Sequence, residues 1–342
     1  MILVTGGTGL VGSHVLYRLS QTNDRVRAIY RRKHKIESVK KVFSYYTNTV
    51  ESLFEKIEWV EADITNIPKL EDAFVGITYV YHCAAFVSFE PDKYRALRNI
   101  NIKGTANIVN LCIANSVKKL IYVSSIAALG HPLNPEEPIT EDTPWNTEAD
   151  HSVYAITKYG AELEVWRGTQ EGVDSIIVNP GVVIGPGYWR GGSSGSLFTK
   201  VYRNNSYYTK GSTGYVDVFD VTDSMIQLME SLITNDRFIL VSENLDIKTF
   251  INEIADCLQV SKSKKEAKPW LLNILWRLDW VKHKVLGKRR RLTKHLAKSL
   301  VSKSHYDNSK IKTALGYSFK PIKDSISQVG ALFIEDSKTT NP

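Results

Sequence analysis

Short apolar runs alternate with stretches of helical periodicity through the first half of the chain. Ile2-Leu3-Val4 and residues 26–30, 57–60, 79–83 and 120–123 read as buried strands. Between them, Val15, Leu16 and Leu19, then residues 68–74 and 100–114, carry the spacing of helices packed on one side. Strand and helix in alternation predict βαβ units, hence an α/β fold with a doubly wound parallel sheet. Past Gly185-Pro186-Gly187 the alternation fades.

The first strand runs directly into Thr5-Gly6-Gly7-Thr8-Gly9-Leu10-Val11-Gly12, and a helix follows. A glycine motif is informative in that context. Gly6 allows a tight turn, Gly9 lets the backbone approach a pyrophosphate, and Gly12 lets helix and strand pack closely. The helix then offers its amides and dipole to phosphates. The second strand ends Tyr30-Arg31-Arg32-Lys33, without the acid that would bind a ribose 2′-hydroxyl. Guanidinium groups match a 2′-phosphate in its place, so the expected cofactor is NADP(H) rather than NAD(H).

Ser124-Ser125 follow the strand at 120–123, where ligands gather in such sheets. Some thirty residues on, Tyr154 and Lys158 are spaced i, i+4, which stacks them on one helical face. A tyrosine titrates near 10, and a cation one turn away is expected to lower that value toward a useful range. With a serine to hold an oxygen, the set suits proton transfer coupled to hydride transfer.

With these residues in place, the chain resembles the extended short-chain dehydrogenase/reductases. The family's Thr-Gly-x-x-Gly-x-x-Gly signature is matched by Thr5, Gly6, Gly9 and Gly12, its adenine-side acid by Asp63-Ile64, and its strand end by His82-Cys83-Ala84-Ala85. Asn101-Ile102-Lys103-Gly104-Thr105 matches a further motif, and residues 180–187, with Pro180 and Val183, match the loop beside the nicotinamide. The resemblance implies a Rossmann fold with Ser125, Tyr154 and Lys158 as catalytic residues. It gives Tyr154 and Lys158 contact with the cofactor, and Asn101 a part in a water-mediated proton path. Thr5, Gly6, Gly9, Leu10, Val11, Gly12, Arg31, Arg32, Asp63, Ile64, Ala84, Ala85, Pro180 and Val183 would line the cofactor.

Within the family the details lean toward the dihydroflavonol-reductase-like and 3β-hydroxysteroid-dehydrogenase-like branch. Epimerases tend to end the serine strand with Val-Tyr-Gly, where this chain has Ala128-Leu129-Gly130. Dehydratases carry an acid pair where Ile126-Ala127 stand. The implied activity is therefore NADPH-dependent reduction of a carbonyl, or oxidation of the matching alcohol, on a small apolar or aromatic substrate. A nucleotide-sugar epimerase or dehydratase holding NAD is the alternative reading; a third, a dinucleotide-binding sensor or scaffold, has no need of the Ser/Tyr/Lys set.

The family's architecture adds a smaller, discontinuous substrate lobe. The nucleotide-binding part would comprise 1–184 and about 216–240, and the lobe about 185–215 and 241–342. Tyr215-Val216-Asp217-Val218-Phe219-Asp220-Val221 resembles the segment that returns the chain to the nucleotide domain, opening a helix at 225–232. Tyr188, Trp189, Tyr202, Tyr207, Tyr208 and Tyr215, with the glycine-rich residues 191–195, and Phe86, Ser88 and Phe89 are candidates to close over a substrate or simply to pack the lobe.

Composition changes this picture little until charge is mapped. The 342 residues carry a formal +8, yet residues 262–298 hold 13 Lys/Arg and two acids, a local +11, leaving −3 for the rest. Nucleic acid is not an expected partner, since no motif accompanies the charge. The segment also contains three Trp, with Leu271, Ile274, Leu275, Leu278 and Val281 at helical spacing after Pro269. Residues 269–291 read either as a lobe helix with a solvated basic turn or as a peripheral membrane contact. Three cysteines, no metal-like His/Cys spacing and no long apolar run predict a metal-free protein of the reducing cytoplasm. Monomer and homodimer both remain open.

Overall fold

The computed structural model describes residues 1–340 apart from 133, 135, 191–193 and 204–205. Its strands are β1 (Ile2–Thr5), β2 (Val26–Tyr30), β3 (Ile57–Glu61), β4 (Tyr79–His82), β5 (Lys119–Val123) and β6 (Asp174–Pro180), then β7 (Val182–Ile184), β8 (Tyr207–Tyr208), β9 (Ser212–Asp217), β10 (Asp236–Leu240), β11 (Glu243–Asp246) and β12 (Lys265–Glu266). Seven of them form one parallel sheet in the order β10-β6-β5-β4-β1-β2-β3. This is the doubly wound, Rossmann-type sheet that the alternation predicts.

Its strands read as unbroken apolar runs because both faces are covered. Val4 points into one core with Val15, Leu16 and Met225, while its neighbour Leu3 points into the other with Ile108, Val109 and Val165. Ile121 and Tyr122 divide in the same way, as do Ile176 and Ile177. The helices Leu10–Thr22 and Val218–Glu230 cover the first face, and Arg18 clamps them by donating to both carboxylate oxygens of Asp223, at 2.8 and 2.9 Å. The helices Ile67–Phe74, Gly104–Ala114 and Val153–Gln170 cover the second.

One expectation needs correction, and two open readings are narrowed. The returning helix starts at Val218 rather than 225, because Asp217 caps it by accepting the Phe219 amide at 2.7 Å. Part of the aromatic cluster is internal packing. Trp189 sits against Phe198 and Phe333, Tyr202 against Phe333, and Tyr215 is stacked on Phe250 at 4.1 Å. Residues 191–193 of the glycine-rich stretch lie outside the described residues. Finally, the helix Pro269–Leu286 forms, but the apolar positions at 274, 275, 278 and 281 face outward; Leu272, which the spacing did not select, is its buried anchor.

Two buried histidines fasten the glycine turn to its surroundings. His14 donates from Nδ1 to the Leu10 carbonyl at 2.7 Å, and its other nitrogen meets the Tyr46 hydroxyl at 2.9 Å. His82, at the end of β4, bridges Thr5 at 2.6 Å and Thr105 at 3.0 Å. Burial pushes His14 down to about 4 and His82 down to about 3, so both are neutral. Their folded values lie below that of an unfolded histidine, so the unfolded chain binds more protons as the pH falls through about 6.5. Each should then cost about 1.4 kcal/mol of stability per pH unit until its folded value is reached. Urea unfolding midpoints measured stepwise below neutrality are expected to fall with decreasing pH, and less steeply for His82→Asn; a flat profile contradicts the assignment.

Candidate active site

At the end of β1 the chain reverses through Gly6, whose φ of +68° suits glycine. A Cβ there would meet the Ala84 nitrogen at 2.6 Å, so the turn lies directly on the chain leaving β4. A Cβ on Gly12 would collide with the Gly6 carbonyl oxygen. Gly12 is therefore required by the turn itself, rather than by helix against strand as expected. Gly9 has only that oxygen nearby, at 3.3 Å, which leaves its outer side open for close approach. Gly9 also heads the helix Leu10–Thr22 without any side-chain cap, and no acid stands in the first turn. An open glycine and uncapped amides are the donor set a pyrophosphate requires, so these residues fit a dinucleotide.

The other expected cofactor residues surround this turn. Ala84 donates its amide to Thr5 Oγ1 at 3.3 Å. Beyond β2, Arg31 and Arg32 are exposed, and Arg31 reaches Asp63 after β3 at 3.5 Å. Burial alone would raise the Asp63 carboxyl, but the Thr65 amide and hydroxyl and the Arg31 guanidinium hold it below the usual range. Gly104 admits Ile64, and Asn107 donates to the Ile64 carbonyl at 2.9 Å. From the opposite side the chain after Pro180 forms β7 through Val183 and packs Gly185 against Leu10, whose Cδ1 a Cβ would meet at 3.1 Å.

Ser125 ends the stretch after β5 and caps a short turn, accepting the Ala127 amide at 3.2 Å. Ser152 caps the helix Val153–Gln170, accepting the Ala155 amide at 3.1 Å, and Tyr154 follows in its first turn. The Phe89 ring packs edge-on against Tyr154 at 5.4 Å. Lys158 is buried one turn further on. Its ammonium donates to the Tyr122 hydroxyl at 2.6 Å and to the Val123 carbonyl at 2.8 Å.

The electrostatics depart from expectation. Burial pushes Tyr154 up to about 12, with the Ser125 side chain opposing it, and Lys158 does not lower it. The ammonium is turned to Tyr122, and burial brings Lys158 itself down to about 7 against the opposing pull of Glu162. Tyr154 is accordingly a protonated donor in this structure.

Asn101 lies in a π-type turn, Arg98–Lys103, a rare form that often marks functional positions. Its amide accepts from the Phe86 nitrogen at 2.8 Å and donates to the Phe86 carbonyl at 3.0 Å and to Thr157 at 3.1 Å. It therefore clamps the loop after β4 to the tyrosine helix.

Glu162 was not singled out by the sequence reading. It continues the face of Tyr154 and Lys158 by one more turn, fully buried, where it accepts from Asn179 at 2.6 Å and Arg237 at 2.9 Å. Asn179 in turn donates to the Ser125 carbonyl at 2.9 Å. The i+8 spacing was visible; the remote Arg237 that makes a buried acid tolerable was not.

Among the described residues no His/Cys/Asp/Glu cluster could hold a metal ion, and no helix is long and apolar enough to cross a membrane. Similarity to known proteins agrees with the geometry. Sterol demethylase protein B of Methylococcus capsulatus is 23% identical over 317 residues, 92% of each chain. A bifunctional dihydroflavonol 4-reductase/flavanone 4-reductase of Malus domestica is 28% identical over 269 residues, 75% of each. The crystal structure of gox2253 superposes with a TM-score of 0.81 at 24% identity, covering 99% of both chains. The model of the NAD dependent epimerase/dehydratase family matches residues 2–236, and the chain belongs to that family, within the extended short-chain dehydrogenase/reductases.

Proposed function

We propose that the protein is an NADPH-dependent reductase of a carbonyl group, running in reverse as an alcohol dehydrogenase. One observation carries the reading: the buried Tyr154 stands in the first turn of its helix, one turn from the buried Lys158, whose ammonium is fixed by Tyr122 and Val123. The residues from Thr5 to Gly12, with Asp63, Ile64, Ala84, Ala85, Pro180 and Val183, would hold the dinucleotide. When bound, its nicotinamide supplies or accepts hydride at the substrate carbon.

On this reading Ser125 binds the substrate oxygen and Tyr154 delivers the proton to it as negative charge develops. Lys158, held by Tyr122 and Val123 one turn from Tyr154, would hold the ribose of the bound dinucleotide. Asn101 keeps the loop carrying Phe86 and Phe89 against the tyrosine helix, which supports a water-mediated path for replacing the proton. The lobe built from about 185–215 and 241–342 would then shape the substrate side. Relatives named for sterol, flavanone and dihydroflavonol chemistry support a substrate that is largely apolar. The family also contains epimerases and dehydratases, but Ile126 and Ala127 offer no acid or base beside Ser125 for sugar dehydration.

Tyr154→Phe is expected to lower kcat about 10²–10⁴-fold in NADPH-dependent turnover of a responsive ketone or aldehyde, with NADPH affinity retained. Full turnover by that variant would exclude Tyr154 as the proton donor. Removing both guanidinium groups, in Arg31→Ala/Arg32→Ala, should weaken NADPH binding about 10–100-fold and leave NADH nearly unchanged, measured by fluorescence titration. An equal loss for both cofactors would remove the 2′-phosphate role.

A further inference from the structure

The helix Pro269–Leu286 is fastened by one face only. Leu272 is buried with Ala267 and Ala297, and Trp276 packs against the same small core. Asp279 secures that side by accepting the amides of Arg291 and Leu292, at 3.0 and 3.2 Å. On the opposite face, at 3.6 residues per turn, Trp270, Ile274, Leu278, Val281 and Val285 fall within an arc of about 80°. They are 62%, 47%, 58%, 47% and 74% exposed. Single exposed apolar residues are ordinary, but a stripe running the length of a helix is an interaction surface.

The surrounding charge identifies its occupant. Arg277 and Lys284 border the stripe on one side and Lys282 on the other; Lys288, Arg289 and Arg291 follow, all exposed. An apolar stripe with a tryptophan, edged by bases, matches the acyl boundary of an anionic bilayer and its headgroups. A second copy of the chain fits poorly, because a two-fold contact would bring together two segments carrying +11 each.

The same segment is tied to both sides of the Tyr154 site. Arg289 donates to the buried Glu90 at 2.8 Å, next to the Phe89 that packs on Tyr154. Lys294 and His295 lie 3.3 and 3.6 Å from Asp150, just before the Ser152 cap.

We propose that the outward face of the helix Pro269–Leu286 docks on an anionic lipid surface, setting the mouth of the Tyr154 site beside the bilayer so that an apolar carbonyl substrate enters from it. Docking itself is independent of the reductase reading; the substrate's route rests on it.

The test is flotation of the full chain with vesicles of phosphatidylcholine alone or mixed with phosphatidylserine, without substrate or cofactor. Binding to the mixed vesicles is expected, with loss in high salt and at least a tenfold weakening in Leu278→Asp/Val281→Asp and in Lys282→Glu/Lys284→Glu. Circular dichroism and turnover of a water-soluble aldehyde should match the parent for both variants, since these positions are exposed and outside the site. Absence of binding at low salt overturns docking. So does binding unaffected by either variant, or a concentration-dependent dimer that the Asp variant abolishes without any lipid binding. The route is read separately: a carbonyl dispersed in mixed vesicles should be reduced faster by the parent than by the Asp variant. Equal rates overturn the route and leave docking standing.

Discussion

The structure turns on the contact between the Gly6 backbone and the chain leaving β4. Because no side chain occupies the Gly6 position, Ala84 and Cys83 come within van der Waals distance of the turn. That contact sets the ends of β1 and β4 side by side, with Thr5 opposite His82 in register. The helix Leu10–Thr22 must then start against the Gly6 carbonyl, which Gly12 alone permits. The uncapped amides, the open Gly9 and the Leu10 contact with Gly185 all follow from this one approach of backbone to backbone.

A second network, of side chains, continues from the same place. Thr5 meets His82, His82 meets Thr105, and the His82 ring lies against Tyr122, whose oxygen receives the Lys158 proton. A chain of groups thus runs from the glycine turn beneath β5 to the tyrosine helix. The neutrality of His82 matters here, since a cation there would repel Lys158.

The legible parts of the fold were those written locally. Ile2-Leu3-Val4 beside a glycine turn is strand and loop whatever the rest of the chain does, and five strands of the central sheet were readable from such runs. Tyr154 and Lys158 were readable because one helix carries both. What was hidden depends on distance in sequence. No periodicity shows that Glu162 is balanced by Arg237, or that Asn101 spans Phe86 and Thr157. The direction of the Lys158 ammonium was hidden too: spacing puts it near Tyr154, while the preference of a buried cation for two oxygen acceptors turns it to Tyr122 and Val123. On the helix Pro269–Leu286, periodicity found the apolar stripe but not which way it faces, because that is decided by the small core around Leu272.

The Ser152 cap has a consequence for how such a protein diversifies. Helix Val153–Gln170 is started by its own side-chain bond to the Ala155 amide, and Tyr154 is fixed within its first turn. The preceding chain is held to the same helix by a separate device, Trp145 stacked on Tyr159 at 4.4 Å and on His151 at 3.7 Å. Exchanges that keep this stack can remodel the approach to the site while the capped first turn holds the phenol in place. Selectivity can then change without moving the proton-bearing group.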